Sequence, residues 1–470
     1  MRAQGKPMAV TQSSSLVRGP LVQHFKTLAI PAAIGMGFST LYNLVDVFFA
    51  GMISTQAQAG LAVSFHPFFL LSTFAFGLGT AMSALVGNAL GANKRCRARK
   101  IALQGIGYGI IGALVLLIVG FVFAGPLMTL TTEPGEIRTL GSRYFLVLLF
   151  SLPGFILSFS ANGILQAFGD AESFKRGLIG AFLANIVLDP LFVFGIPGLW
   201  GGIGFDGLAV SSVMTQTGVA VFLLFKIYKM DVTAAPKLPE LRPSWGTTRA
   251  ISAQSIPAST AMFVLVFSGF VVLYYLRGFG ETTQAAYAVA LRIEQIALLP
   301  VFGLTGALLP IVAQNFGAKE HTRVSQALFT CFGIGLIYMA VACPLLWVGA
   351  EAAMGLFTDD AEVIRIGVSY LRVDGAILPA YMALFAINSF LQGLKKPIWA
   401  FWIGVYRQGI GVPLFIYLFV GVLGFDVIGV WFGVATSVLT GLLVSLIVAK
   451  IVARPLLGGL LPSRTARVGG

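Results

Sequence analysis

The chain has 470 residues, of which 57% are hydrophobic and 10% charged, and its formal net charge is +13. A string of soluble domains needs more surface charge than that, whereas apolar runs of about 20 residues recurring along a chain are what a bilayer selects. The composition therefore excludes a soluble multidomain protein, and the basic excess has to be located before it is taken for a nucleic-acid footprint.

In chain order, the opening residues MRAQGKPMAVTQSSSLVRGP lack the apolar core and small-residue cleavage site of a signal peptide, so the first apolar run is expected to serve as its own insertion signal. Spans are predicted at 24–50, 56–84, 101–125, 138–168, 174–197, 207–228, 248–277, 283–312, 323–350, 362–392, 397–423 and 427–452. The expected fold is an all-α membrane protein of twelve transmembrane helices. Its longest loop is the polar, proline-bearing stretch 231–246, DVTAAPKLPELRPSWG.

Alternate loops separate by charge. One side carries Arg2, Lys6, Arg18 and Lys26, then Lys94, Arg95, Arg97, Arg99 and Lys100, then Lys175 and Arg176. The same side continues with Lys226, Lys229, Lys237, Arg242 and Arg249, with Lys319 and Arg323, with Lys395 and Lys396, and with Lys450, Arg454, Arg464 and Arg467. The other side carries only Arg138, Arg143, Arg277 and Arg365. Basic loops stay inside, so both termini, residues 92–100 and residues 231–246 are expected to be cytoplasmic, with 131–137 external. A multi-pass protein of the inner (plasma) membrane follows, and it is expected as a monomer. The basic residues orient the chain and attract anionic lipid; no nucleic-acid partner is expected.

Compared with itself at one fixed offset, the chain pairs Pro31 with Pro257, Gln58 with Gln284 and Gly77 with Gly303. The same offset pairs Gly91 with Gly317, Tyr144 with Tyr370, Pro153 with Pro379, Asn162 with Asn388 and Gln166 with Gln392. Prolines, glycines and amides are costly or conformationally specific inside apolar helices, so their coincidence marks two repeats of six helices. Expected domains are an N-lobe at 1–235 and a C-lobe at 236–470, joined through 231–246. An even number of spans makes the repeats parallel, related by an axis along the membrane normal, with a cavity between halves that rock about it. That is transporter geometry.

Four acids fall inside spans: Asp46, Asp189, Glu294 and Asp374. A carboxylate at mid-bilayer is expensive unless it is paired, hydrated or protonated. In the second half Arg292, Arg372 and Arg407 are available on the same or neighbouring spans. In the first half no Lys or Arg lies away from the span ends, so Asp46 and Asp189 are expected to take a proton or a metal cation instead, as coupling to an ion gradient requires. Asn43 and Asn185 lie three and four residues before these acids, on the same helix faces, and Asn162 adds a third amide. The repeat mates of the two acids are Val272 and Val412, so the acids belong to the first half alone. Pro31, inside the first span, permits a hinge. Met36, Tyr42 and Asn43, with aromatics of the second and eighth spans, are expected to line a mostly apolar cavity suited to organic cations.

Other motifs carry little. Gly107, Gly109 and Gly112 match GxGxxG but lie within a span with no strand before them. There is no Walker A sequence, and Cys96, Cys331, Cys343, His24, His66 and His321 show no metal spacing. No nucleophile stands with a base, so an enzyme is not expected.

Five segments taken together resemble the multidrug and toxic compound extrusion (MATE) family, its DinF-like branch most: PAAIGMGFSTLYNLVDVFFAG at 31–51, GLGTAMSALVGNALGANKR, ANIVLDPLFVFG at 184–195, ALRIEQIALLP at 290–300 and NSFLQGLKKP. The resemblance implies two lobes around a central cavity, exchanging H⁺ or Na⁺ for organic cations or amphipathic drugs, with no other cofactor. It also implies a first-lobe cation site at Asp46 and Asp189, with Asn185, Asn162 and the sixth-helix hydroxyl Ser212. The acid that other branches carry in the seventh helix is absent. The rival expectation is a flippase for lipid-linked oligosaccharide or lipid, which would line its cavity with Arg and Lys.

Overall fold

The computed structural model describes residues 16–129, 131–196 and 198–460. Arg2, Lys6, Arg464 and Arg467, counted above with the basic loops, lie outside them. Among the described residues, twelve helices are long and apolar enough to cross a membrane. They are α1 Leu21–Ile53, α2 Thr55–Gly91, α3 Arg95–Val122, α4 Glu136–Ala167, α5 Glu172–Phe194 and α6 Asp206–Tyr228, then α7 Trp245–Arg277, α8 Glu281–Gly317, α9 His321–Gly355, α10 Ala361–Gly393, α11 Pro397–Val422 and α12 Val427–Leu457. No strand occurs among the described residues.

Most helices outrun their expected spans. α2 and α8, 37 residues each, continue to Gly91 and Gly317 because their last turns are buried between the halves. Local irregularities follow proline and glycine. α4 takes one 3₁₀ turn at Leu149–Ser151 just before Pro153, which has no N–H to give the helix. α11 is π-helical over Val405–Gly411 and Tyr417–Val422. A short helix, Ala124–Thr129, follows α3.

The repeat is visible in the backbone. α2 and α8 are followed by left-handed residues at Asn93 and Lys319 (φ 55° and 64°), and α4 and α10 by Gly169 and Lys395 (φ 86° and 58°). Both pairs stand at the offset that carries Pro31 onto Pro257. The left-handed turn stops each helix and turns the chain into the next.

Buried apolar side chains form two clusters, one drawn mainly from α1–α6 and the other from α7–α12. Leu16 and Ala171 of the first half also join the second cluster, and the exceptions on the first helix of each half are reciprocal. Phe25 and Leu28 of α1 pack in the second cluster, and Ile251 of α7, the repeat mate of Phe25, packs in the first. Each half thus lends the start of its first helix to the other.

Glycines let the halves meet. A Cβ at Gly77 of α2 would overlap Ser259 and the Ser255 carbonyl of α7; one at Gly303 of α8 would overlap Ala33 and the Ala29 carbonyl of α1. These contacts are again related by the repeat, and they flank Pro257 and Pro31. Gly77→Ala and Gly303→Ala are each expected to destabilise the fold by about 1–3 kcal/mol, the usual overpacking penalty. Alanine at Gly37, which has open space around its α-carbon, is the control. Thermal melts in detergent would measure the difference.

At the end bearing the basic loops, here the basic end, a second reciprocal set closes the seam. Asn88 Nδ2 donates to the Gly393 carbonyl (3.0 Å) and Gln314 Nε2 donates to the Ala167 carbonyl (2.7 Å). Asn88 and Gln314 are mates, as are Ala167 and Gly393. A Cβ at Gly91 would overlap the Gln314 carbonyl, and one at Gly317 the Asn88 carbonyl. Among the described residues, the side-chain hydrogen bonds that cross between halves lie at or toward this end of the helices, the deepest joining Tyr108, midway along α3, to Ser252. The 231–246 loop lies there too, clamped by a two-pronged Arg99–Glu240 pair (3.1 and 2.9 Å). Hydrogen bonds from the Arg99 guanidinium and the Lys237 backbone hold the Glu240 carboxyl down to about 2. A depressed acid loses its partner only as pH falls from the ordinary carboxylate range through that value, so the clamp is intact at neutral pH.

Candidate functional site

Asp46 lies near the far end of α1, and Asn185 and Asp189 sit one turn apart on α5. A four-residue step puts side chains one above the other on a helix face, so the Asn185 amide reaches both acids. Its Nδ2 donates to Asp189 Oδ1 (2.8 Å), Asp46 Oδ1 (3.0 Å) and Ser211 Oγ of α6 (3.3 Å). Two carboxylate oxygens on one nitrogen are within about two hydrogen-bond lengths of each other. Asn185 and Asp189 are fully buried and Asp46 is 6% exposed.

Hydroxyls extend the cluster. Ser212 Oγ donates to Asp46 Oδ2 at 3.4 Å, and the Tyr42 hydroxyl donates to Ser212 Oγ at 2.9 Å and shares a hydrogen with Thr215 Oγ1 at 2.9 Å. No Lys or Arg lies within ion-pair distance of either acid among the described residues; the ion pairs found lie in loops or near helix ends. Asp189 Oδ2 and Asn185 Oδ1 are buried without a hydrogen-bond partner among the described residues. Carboxylate, amide and hydroxyl oxygens in this density are hard donors, suited to a proton or an alkali cation. No group of three or more His, Cys, Asp or Glu fit to hold a metal occurs among the described residues.

The structure thus brings together Asp46, Asp189, Asn185 and Ser212. Asn162 stands apart: its Oδ1 accepts from Gln166 Nε2 on its own helix (3.2 Å), with no hydrogen bond to either acid. Tyr42, read from sequence as a cavity residue, is 7% exposed, with its hydroxyl turned into the acid cluster. It is four residues from Asp46, so α1 carries both on one face. Asn43 is exposed and donates back to the Ser39 carbonyl (2.9 Å); Met36 is half-buried. α1 continues unbroken through Pro31, which is half-buried beside the Gly303 crossing. Sequence reading missed Ser211 and Thr215. Their signal is a pair of hydroxyls four residues apart on α6, the spacing of one buried face.

The second half buries its acids elsewhere. Tyr370 OH donates to Glu294 Oε2 at 2.5 Å. Asp374, 2% exposed, has both carboxylate oxygens unpartnered among the described residues. Arginine partners were available on neighbouring helices, but among the described residues no ion pair forms with either acid. Arg407 lies over the Tyr381 ring (5.7 Å) and Arg372 over Trp347 (5.4 Å), because guanidinium planes stack on aromatic faces. At the repeat offset, Phe68 and Leu148 stand where the second half has Glu294 and Asp374, just as Val272 replaces Asp46. Each half buries acids where the other buries hydrocarbon.

The fold has solved counterparts. An outward-facing multidrug resistance MATE family transporter of the MOP superfamily superposes with TM-score 0.87 at 22% identity, covering 95% of this chain and 99% of that one. A MOP superfamily transporter from Pyrococcus furiosus, described as having a binding pocket of reversed polarity, gives the same score, identity and coverage. Among curated proteins, the multidrug export protein MepA of Staphylococcus aureus is 24% identical over 402 residues, spanning 84% of this chain and 87% of MepA. A FAD transporter of Shewanella oneidensis is 24% identical over 361 residues, spanning 76% and 79%. The MatE family model matches residues 31–191 and again 257–417. Those two matches stand at the same offset as the glycine crossings, the helix stops and the seam amides, and they cover both halves, so the chain belongs to the MatE family of transporters.

Proposed function

We propose that this chain is a multidrug efflux antiporter of the inner membrane, monomeric and with both termini cytoplasmic. It exports small organic cations or amphipathic drugs in exchange for H⁺ or Na⁺. Residues 1–235 and 236–470 act as two lobes that rock about the cavity between them, with Pro31 as a hinge. The observation that carries the reading is the pair Asp46 and Asp189, buried on one shared amide with no fixed cation. Two adjacent carboxylates cannot both stay charged in a low-dielectric site without a counter-charge, so the cluster holds a proton or a cation whenever it is closed. Releasing that ion changes the packing of α1 against α5 and α6. Multidrug export by MepA supports the cargo class.

Purified protein in ethidium-loaded liposomes tests this, with H⁺ and Na⁺ gradients imposed separately. Ethidium should leave against an inward ion gradient of at least one kind and stay when both are collapsed. If neither gradient moves ethidium but FAD is carried, the cargo is a flavin nucleotide and the Shewanella relative is the better guide. If lipid-linked oligosaccharide crosses the bilayer without any gradient, the flippase reading replaces this one.

A further inference from the structure

Each half is entered through a segment that lies on the other half. Ahead of α7, the 231–246 loop crosses onto α3. Arg99 Nη1 donates to the Val232 and Ala234 carbonyls (3.0 Å each), and Gln104 Oε1 accepts from the Ser244 hydroxyl (2.9 Å). Gly107 leaves room for the Leu241 carbonyl, which any Cβ there would overlap.

Ahead of α1, residues 16–19 cross onto α8 and α9. The Leu16 N–H donates to Gln314 Oε1 (3.0 Å), and the Leu16 carbonyl accepts from Asn315 Nδ2 (3.1 Å). The Gly19 carbonyl accepts from Arg323 Nη2 (2.6 Å), and the Leu16 side chain, 2% exposed, packs in the second half's cluster. Leu16 and Arg242 are repeat mates, so the two arms occupy corresponding places.

The arms are not equivalent in what they hold. Gln314 binds the first arm with its oxygen while its nitrogen donates across the seam to Ala167. Its mate Asn88 donates to Ala84 on its own helix and to Gly393, and among the described residues no arm sits on it. One side chain therefore fixes both the arm and the seam, and an amide whose two ends are both engaged loses the freedom to swing away from either.

We propose that the basic ends of α8 and α9 are a docking seat for the chain's own residues 16–19, and that the seated arm, acting through Gln314, bolts the seam between the halves shut. Opening toward the basic end requires the arm to leave. The bolt rests on the alternating-access reading only in that the seam must open at some stage.

Spin labels on Lys94→Cys and Glu320→Cys in a cysteine-free background read the seam directly, since both positions are exposed at the basic end and are repeat mates. With the protein in lipid nanodiscs, the unaltered arm should give one short distance. Leu16→Asp should raise the ratio of long to short distances roughly fivefold or more, the factor one net hydrogen bond is worth, while Leu16→Met should not. A peptide of sequence SLVRGP added to the Leu16→Asp protein should restore the short distance, and SDVRGP should not. An unchanged distance distribution in Leu16→Asp would overturn the proposal. So would a lowered melting temperature with the distribution intact, which makes the arm an anchor for α1, or an opened seam that the peptide cannot close. The measurement uses neither cargo nor gradient, so its failure would leave the efflux reading standing, and failed efflux would leave the bolt standing.

Discussion

Asp46→Asn is expected to fold with an unchanged or higher melting temperature, to keep cargo binding, and to lose gradient-driven export down to the level of empty liposomes. The amide has the shape of the protonated acid, and its oxygen still accepts from Asn185 Nδ2, which now reaches Asp46 Oδ1 at 3.0 Å. The contact to Ser212 also survives, because that hydroxyl both donates and accepts. What disappears is the negative charge. An ion drives a conformational equilibrium only by the difference in its affinity for the two states, and a group that cannot ionise contributes none. Asp189→Asn should behave alike if the two acids, which share one amide, titrate as a coupled pair. If the acids were structural glue, both variants would melt lower and export normally. Melting temperature, equilibrium drug binding and pH-driven efflux on the same purified proteins separate these outcomes, and normal export by a well-folded Asp46→Asn protein ends the coupling assignment.

Asn185→Leu is expected to be the most destabilising single change in the cluster, by about 3–5 kcal/mol, the cost of leaving a buried charge without its partner. Leucine fills nearly the same space but supplies none of the hydrogen bonds that now reach Asp46, Asp189 and Ser211. The deficit should shrink as pH is lowered, since an uncharged carboxyl is far cheaper to bury unpaired. It should also shrink when Asp189→Leu is combined with it, because the two changes remove both members of a pair instead of one. Melting curves for the two single variants and the double variant at two pH values provide the test. A strictly additive cycle, or a deficit indifferent to pH, would mean that Asn185 acts through packing alone.

The spans, the repeat and the four buried acids were legible in the sequence. Hydropathy, proline, glycine and charge act on the chain locally, and a bilayer requires every long apolar run to satisfy its own backbone as a helix. The neighbourhood of Asn185 and Asp189 was legible for the same reason, since a four-residue step is a property of one helix, whereas the place of Asp46 beside them came from the family resemblance. Where Tyr42 turns its hydroxyl, why Asn162 stays with Gln166, and how Ser211 and Thr215 join the cluster depend on which faces of α1, α4, α5 and α6 meet, and helix periodicity leaves that choice to packing. The arginines near Glu294 and Asp374 show the same limit: neighbouring helices offered ion-pair partners, and aromatic faces took the Arg372 and Arg407 guanidinium groups instead. Gly77, Gly91, Gly303 and Gly317 stood out in the sequence as matched glycines. Only the closed pair of halves shows that each leaves room for atoms of the opposite half, and that residues 16–19 lie on helices from the far half of the chain, because contacts between distant segments exist only once both halves have folded and met.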